Sequence, residues 1–103
     1  MALQILKEEN NDVIIIKPVG EVDIYTSPDL KETLTEIINQ SNVNMVIDGE
    51  KLEYIDSTGL GVLIGALKKI KEKERNITIT NIKPNIKKLF DITGLNKVFV
   101  VKE

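Results

Sequence analysis

A pair of hydroxyl residues at the start of a glycine-containing apolar segment is the part of this chain best suited to chemistry. The segment runs from Tyr54 to Leu63 and reads YIDSTGLGVL. A serine beside a helix N-terminus faces backbone N–H groups that lack intrahelical acceptors, and these groups and the helix dipole favour an added anion. Phosphate on Ser57 would add about −1.5 to −2 charges. The segment therefore has the layout of a phosphorylation switch that acts through charge.

A plain structural interpretation of the same residues stays open. Ser57 or Thr58 would then be the N-cap of the helix and accept one of its free N–H groups, a contact worth about 1 kcal/mol. Asp56 has three possible roles, since it can stabilise the helix start, orient Ser57 or bind a metal. Asp23, in the loop after an apolar segment, is either a turn-forming residue or a surface group that a partner recognises.

Composition excludes several classes of function. The chain has no cysteine and no histidine, so it lacks the usual general base and the commonest metal ligands. These absences weigh against a hydrolase, a protease or a zinc protein, and no metal or cofactor is expected. The glycines of the segment do not match G-x-G-x-x-G, and no Walker lysine follows.

The net charge and the hydropathy pattern argue against two classes of partner, nucleic acids and membranes. The net charge is −2, with 14 basic and 16 acidic residues, so direct nucleic-acid binding is not expected. There is no signal-peptide pattern and no apolar run of membrane length, which predicts a soluble cytoplasmic protein with no membrane partner.

The elements that position these residues follow from periodicity. The 103 residues suit one domain, 1–103. Strands are predicted at 2–7, 13–16, 45–48, 77–80 and 98–101. The β-branched run 13–16 is typical of a strand covered on both faces, and Pro18 and Gly20 are expected to end it.

Three helices alternate with these strands. Ser27 is the expected N-cap of the first, the second runs from Thr58 to about Lys73, and the third lies between Pro84 and Gly94. Gly61 and Gly65 are four residues apart, so we expect them to let neighbouring elements approach the second helix closely. The order β-β-α-β-α-β-α-β predicts an α/β fold with a parallel or mixed sheet.

Three segments together resemble bacterial anti-sigma factor antagonists of the STAS domain family. They are GEVD at 20–23, DSTGLGVL at 56–63 and LFDITGL at 89–95. The second segment is the specific one, and the resemblance covers nearly the whole chain. It implies a single small α/β domain with a mixed β-sheet of about four to five strands and helices packed mainly on one side.

The resemblance also implies a function, which is not that of an enzyme. The unphosphorylated form would bind an anti-sigma factor that is also an ATP-dependent serine kinase, and a sigma factor would be released. Phosphorylation of Ser57 would end binding, and a metal-dependent serine phosphatase would reverse it, with no small-molecule substrate involved. The partner-binding residues implied are Asp23, Asp56, Ser57, Thr58, Gly59, Leu60 and Gly61. Two alternatives stay open: a scaffold or sensor STAS subunit of a larger signalling assembly, and a nucleotide-binding module.

Overall fold

A mixed sheet and three α-helices make up the part of the chain that the computed structural model describes, residues 2–102. This confirms the predicted α/β fold class. The sheet has one strand more than predicted, because the residues leading into the hydroxyl segment also pair. In chain order the elements are β1 Leu3–Glu9, β2 Val13–Val22, α1 Ser27–Gln40, β3 Asn44–Asp48, β4 Leu52–Ile55, α2 Ser57–Lys71, β5 Ile77–Thr80, α3 Pro84–Thr93, a 3-10 turn Leu95–Lys97, and β6 Val100–Lys102.

The sheet has β2 near its centre. Its strand order is β1-β2-β3-β5-β6, and β4 pairs with β2 as well. β1 is antiparallel to β2, and the other pairs are parallel. The first half of β2 pairs with β3 and its last residues pair with β4, with Val22 opposite Ile55. The carboxyl ends of β2 and β4 therefore lie side by side.

Pro18 does not end β2, contrary to the sequence expectation, and the strand continues to Val22. The N–H of Gly20 donates to the carbonyl of Lys51 at 3.0 Å, on the β4 side. Pro18 is two residues earlier, so its nitrogen faces the same side. At that point β2 passes from β3 to β4, so the missing N–H of proline breaks no ladder bond.

The core lies on one face of the sheet. Alternate residues of β2, including Ile14, Ile16 and Val22, are buried, whereas Ile15 and the other residues between them are half-buried. The expectation that this strand is covered on both faces is therefore wrong. The buried strand residues form one cluster with the buried faces of all three helices, as expected for helices packed on one side.

Several element boundaries differ from the sequence prediction; α2, for example, runs from Ser57 to Lys71 instead of from Thr58 to about Lys73. The N-cap of α1 is Thr26 rather than Ser27, which is the first helical residue and is buried. The last strand begins at Val100 instead of Val98, because Phe99 turns inward and packs on Phe90 with ring centroids 5.9 Å apart. The predicted bounds of α3 are confirmed, since Pro84 begins it and Gly94 ends it in the left-handed conformation, with φ 78°.

Candidate functional site

Two neighbouring strand ends bring the candidate residues together. Asp23 follows Val22 at the end of β2, and Asp56 follows Ile55 at the end of β4. The N–H of Asp56 donates to the carbonyl of Val22 at 3.1 Å, which ties the two strand ends together. In open α/β sheets, binding sites form at the carboxyl ends of parallel strands. The loop after β2 and the start of α2 thus form one edge of the molecule.

Asp56 is the N-cap of α2. Its carboxylate accepts from the N–H groups of Thr58, at 2.9 Å, and Gly59, at 3.2 Å, and also from the Thr58 hydroxyl. The interpretation that Ser57 or Thr58 caps the helix is therefore wrong. The Thr58 hydroxyl is the main group that lowers the pKa of Asp56; partial burial opposes it, and the N–H groups of Gly59, Thr58 and Ile24 lower the pKa further.

Ser57 is the first residue of α2, and its side chain is exposed. Asp56 caps the helix in its place, and the Ser57 hydroxyl has no hydrogen-bond partner among residues 2–102. The hydroxyls of Thr58 and Ser27 are less suitable as phosphate acceptors. Thr58 donates to Asp56, and Ser27 is buried with 7% exposure. Of these three aliphatic hydroxyls, that of Ser57 is therefore the most accessible to an external group.

The amides at the start of α2 are less available to a phosphate than the sequence suggested. Asp56 already accepts from the N–H groups of Thr58 and Gly59, and the N–H of Leu60 donates to the Asp56 carbonyl at 3.0 Å. Among the amides of the first turn only that of Ser57 remains. A phosphate on Ser57 would therefore stand next to a carboxylate with few protein donors, so its charge would be exposed to solvent or to a partner.

Asp23 forms a turn, which confirms one of the two roles that the sequence left open. Its Oδ1 accepts from the N–H groups of Tyr25, at 2.9 Å, and Thr26, at 3.1 Å. The Thr26 hydroxyl lies 2.9 Å from the carbonyl of Glu21 and accepts from the N–H of Asp23 at 2.9 Å. These local bonds hold the loop between β2 and α1 in one conformation.

The glycines of the segment have different surroundings. A Cβ on Gly59 would lie 2.5 Å from Cγ1 of Ile55 and 2.6 Å from Cγ1 of Val22, so α2 packs closely on the sheet at this residue. A Cβ on Gly61 or Gly65 would meet nothing within 4 Å. The expectation that Gly61 and Gly65 serve close packing is therefore wrong, and Gly59 has that role.

Burial also divides the residues expected to touch a partner. Asp23, Asp56 and Thr58 are partly exposed, and Ser57 and Gly61 are exposed. Gly59 and Leu60 are buried. Those two residues face the sheet and the core, and their part in partner binding stays a prediction. The surface that remains is the Asp23 loop, the start of α2 and the exposed side of its first turns.

A shallow groove between α1 and α2 continues from this edge. Its volume is about 250 Å³, and the side-chain-free positions Gly61 and Gly65 form part of its floor. Lys31 of α1 and Lys69 of α2 line it as well, and Thr58 lies at the end nearest Ser57. The groove owes its depth to the absence of side chains at the two glycines.

Residues 2–102 contain no cluster of three or more acidic groups that would hold a metal ion. The structure therefore gives no support to the metal-binding role considered for Asp56. Within the same residues, no helix is both long and apolar enough to pass through a bilayer.

Sequence reasoning missed two residues at this edge. Ile24 is 63% exposed and Tyr25 is 85% exposed, although both are large and apolar. They follow Asp23 directly in the loop between β2 and α1. The available signal was their position, because two consecutive large apolar residues in a loop before a helix start belong to no predicted core face.

Residues 4–103 match the sequence model of a known protein family, the STAS domain. The chain belongs to the STAS domain family. An anti-sigma-B factor antagonist of Staphylococcus epidermidis is 35% identical over 103 residues, which cover 100% of this chain and 95% of the relative. The resemblance inferred from the three sequence segments is thereby confirmed.

Solved STAS-type structures have the same architecture. An anti-sigma factor antagonist from Mycobacterium paratuberculosis superposes with a TM-score of 0.84 at 26% identity, covering 98% of this chain and 86% of that one. SpoIIAA in its unphosphorylated form gives 0.75 at 19% identity, covering 99% and 87%. Bacillus SpoIIAA in the phosphorylated form gives 0.73 at 22% identity, covering 97% and 90%. At these identities the similarity to the two SpoIIAA structures shows only a shared fold, which is common to the unphosphorylated and phosphorylated forms.

Proposed function

We propose that this STAS domain is an anti-sigma factor antagonist regulated by phosphorylation of Ser57. The unphosphorylated domain binds an anti-sigma factor that is also a serine kinase, and a sigma factor is released as a result. The kinase transfers the γ-phosphoryl group of ATP to Oγ of Ser57, ADP leaves, and the hydroxyl proton passes to a base on the kinase. The charged product dissociates, and a serine phosphatase restores the hydroxyl.

The observation that carries this proposal is that Asp56, Ser57 and Thr58 have different hydrogen-bonding roles at the start of α2. Asp56 caps the helix and holds the Thr58 hydroxyl, while Ser57 is exposed and takes no part in the hydrogen bonds of the cap. A serine that served the fold would be expected to use its hydroxyl. Modification of Ser57 is therefore compatible with an intact helix start, as a reversible switch requires.

Gly61 and Gly65 support a partner surface beside Ser57. Each glycine inside a helix costs about 1 kcal/mol relative to alanine. The packing around these two glycines does not require the absence of a side chain. A binding surface would explain why glycine is present at both positions, because a partner can approach the helix backbone most closely where there is no side chain.

The charge of the phosphate gives the switch its strength. An unpaired charge left at an interface costs about 2–5 kcal/mol, which corresponds to an affinity lower by about 30- to 5,000-fold. Asp56 already occupies two N–H groups of the first turn, so the domain itself offers little compensation for the added charge. The partner would have to solvate the phosphate or lose contact.

The proposal is tested by affinity capture from the source organism with wild-type, Ser57→Ala and Ser57→Asp baits. The captured kinase is identified by mass spectrometry, purified and incubated with each bait and labelled ATP. We expect wild type and Ser57→Ala to bind it, only wild type to be labelled, and Ser57→Asp not to bind.

Asn85→Asp is the matched control. Asn85 is also exposed in the first turn of a helix, α3, so this variant adds one negative charge at another helix start. We expect it to bind as wild type does. Equal capture by the wild-type and Ser57→Asp baits would contradict the switch and favour the scaffold alternative. Binding of labelled ATP by the domain alone would favour the nucleotide-binding alternative.

A further inference from the structure

Two apolar side chains project from the loop between β2 and α1, next to the phosphate acceptor. Ile24 is 63% exposed and Tyr25 is 85% exposed. We propose that Ile24 and Tyr25 form an apolar anchor that inserts into a pocket of the anti-sigma factor kinase when that kinase binds at Ser57. This inference rests on the proposed function. It adds an apolar surface that contributes to the affinity of the domain for that kinase.

The loop presents these side chains in a fixed conformation. Oδ1 of Asp23 accepts from the N–H of Tyr25 at 2.9 Å and from the N–H of Thr26 at 3.1 Å. The Thr26 hydroxyl in turn contacts the carbonyl of Glu21 at 2.9 Å. A loop that is already ordered loses little conformational entropy when it binds, so more of the contact energy appears as affinity.

The anchor is continuous with the Ser57 surface. The N–H of Asp56 donates to the carbonyl of Val22, two residues before Ile24. The N–H of Ile24 also faces the Asp56 carboxylate and helps to lower its pKa. A partner that covers the Ser57 hydroxyl therefore meets the Ile24–Tyr25 loop at the same edge, without needing a second site.

The fold gives no packing reason for these two side chains. The apolar residues before and after the loop, Val22 and Leu30, are buried at 0% and 1% exposure. Tyr25 is the most exposed of the large hydrophobic residues in the described part of the chain. Tyrosine is enriched among interface residues that dominate binding, because its ring buries a large apolar area at a low cost in side-chain freedom.

An anchor and a switch at one edge would have separate effects. The anchor supplies affinity through apolar burial, which salt screens little, whereas the charge on Ser57 acts electrostatically. The anchor also lies outside the phosphoryl-transfer step. Its loss should therefore raise KM for phosphorylation of this protein while kcat stays unchanged.

The test uses the full chain and the purified kinase that phosphorylates Ser57. Dissociation constants are measured by calorimetry for wild type, Tyr25→Ala, Tyr25→Phe, Ile24→Ala and Ile92→Ala. Ile92 is 72% exposed on α3 and serves as a control of similar size and exposure. Each variant is first compared with wild type in thermal unfolding.

We expect Tyr25→Ala to weaken binding by at least about tenfold, at low and at moderate salt alike. Ile24→Ala should weaken it less, and Tyr25→Phe and Ile92→Ala should bind as wild type does. In steady-state phosphorylation, Tyr25→Ala should raise KM by a similar factor with kcat unchanged.

Failure of the anchor and failure of the proposed function would give different results. If Tyr25→Ala binds as wild type does while Ser57→Asp does not bind, the anchor is overturned and the proposed function stands. If wild type neither binds a kinase nor is phosphorylated on Ser57, both are overturned. If Tyr25→Ala dissociates a homodimer and leaves the kinase affinity unchanged, the occupant is a second copy of this chain, and the assignment to the kinase is overturned.

Discussion

The hydroxyl of Thr58 donates to the carboxylate of Asp56, and Ser57, which stands between them in the sequence, has no part in that contact. Residues i and i+2 at a helix start thus satisfy each other and leave the intervening side chain exposed. This relationship assigns the three consecutive polar residues different roles. Asp56 caps the helix, Thr58 supports the cap, and Ser57 remains available for modification.

Removal of the Thr58 hydroxyl should raise the pKa of Asp56. In the folded protein this hydroxyl is the main group that lowers the pKa, because its hydrogen bond favours the carboxylate. Thr58→Val keeps the shape of the side chain and removes the donor. Carboxyl ¹³C NMR titration of wild type and Thr58→Val would measure the change. An unchanged pKa in the variant would mean that the backbone N–H groups alone set it.

The same variant separates the two hydroxyls chemically. If Ser57 is the phosphate acceptor, Thr58→Val should still take one phosphate, and peptide mapping should place it on Ser57. Loss of labelling in a Thr58→Val protein that remains folded would instead move the acceptor to Thr58.

The contribution of Asp56 to stability should depend on pH. Its pKa in the folded protein is lowered from the ordinary value of 3.8, so the folded state favours the charged form. The added stability is therefore fully present above about pH 3.8 and is lost as the pH falls through the lower folded value.

Asp56→Asn provides the measurement. Urea midpoints at pH 7 should be lower for Asp56→Asn than for wild type, and the difference should shrink as the pH falls below 3.8. The other carboxyl groups are shared by both proteins, so the difference isolates Asp56. A difference that stays constant over this range would show that ionisation of Asp56 does not stabilise the fold.

Alanine at Gly59 and at Gly61 should have opposite effects. At Gly59 the added methyl would meet Val22 and Ile55 at 2.6 Å or less, and overpacking of this kind costs about 1–3 kcal/mol. At Gly61 there is no neighbour within 4 Å, so the gain in helix propensity should stabilise the protein by up to about 1 kcal/mol. Chemical denaturation of both variants checks this contrast. Similar destabilisation by both would refute the packing difference.

Gly61→Ala also tests the partner surface. If the kinase approaches the helix at this residue, the stabilised variant should bind it more weakly than wild type. Gly65→Ala, which lies one turn further from Ser57 and is also free of close neighbours, is the companion variant. Unchanged kinase affinity in both would exclude the floor of the groove from the interface.

Lys73 should stabilise the carboxyl end of α1. Its ammonium donates to the carbonyl of Ile38 and, at 3.3 Å, to that of Ser41. The last turn of α1 has no basic residue of its own, so Lys73 supplies the cation that this helix end favours. Lys73→Met should lower the free energy of unfolding by about 1 kcal/mol. Lys71→Met, at an exposed position on the same helix end, should change it little, and equal effects would contradict the role of Lys73.

Much of the local structure was determined by the sequence itself. Pro84 and Gly94 bound α3 as predicted, because proline fixes a first-turn conformation and glycine adopts the left-handed one after the last turn. The alternation of strand and helix patterns predicted the α/β class, and the segment from Asp56 to Leu63 indicated the family. These are properties of residue type and near-neighbour spacing, which the chain carries before it folds.

Tertiary structure decided how those residues are used. Glycines at positions 59 and 61 look equivalent in the sequence, yet only the first one meets the sheet, through contacts with Val22 and Ile55 from other elements. Pro18 looks like a strand end, but β2 continues past it where its pairing partner changes. Asp23 and Asp56 are 33 positions apart in the sequence, and the pairing of β4 with β2 places the residue before each of them side by side, with Val22 opposite Ile55. Each outcome depends on contacts between residues far apart in the chain, and such contacts leave no trace in local periodicity.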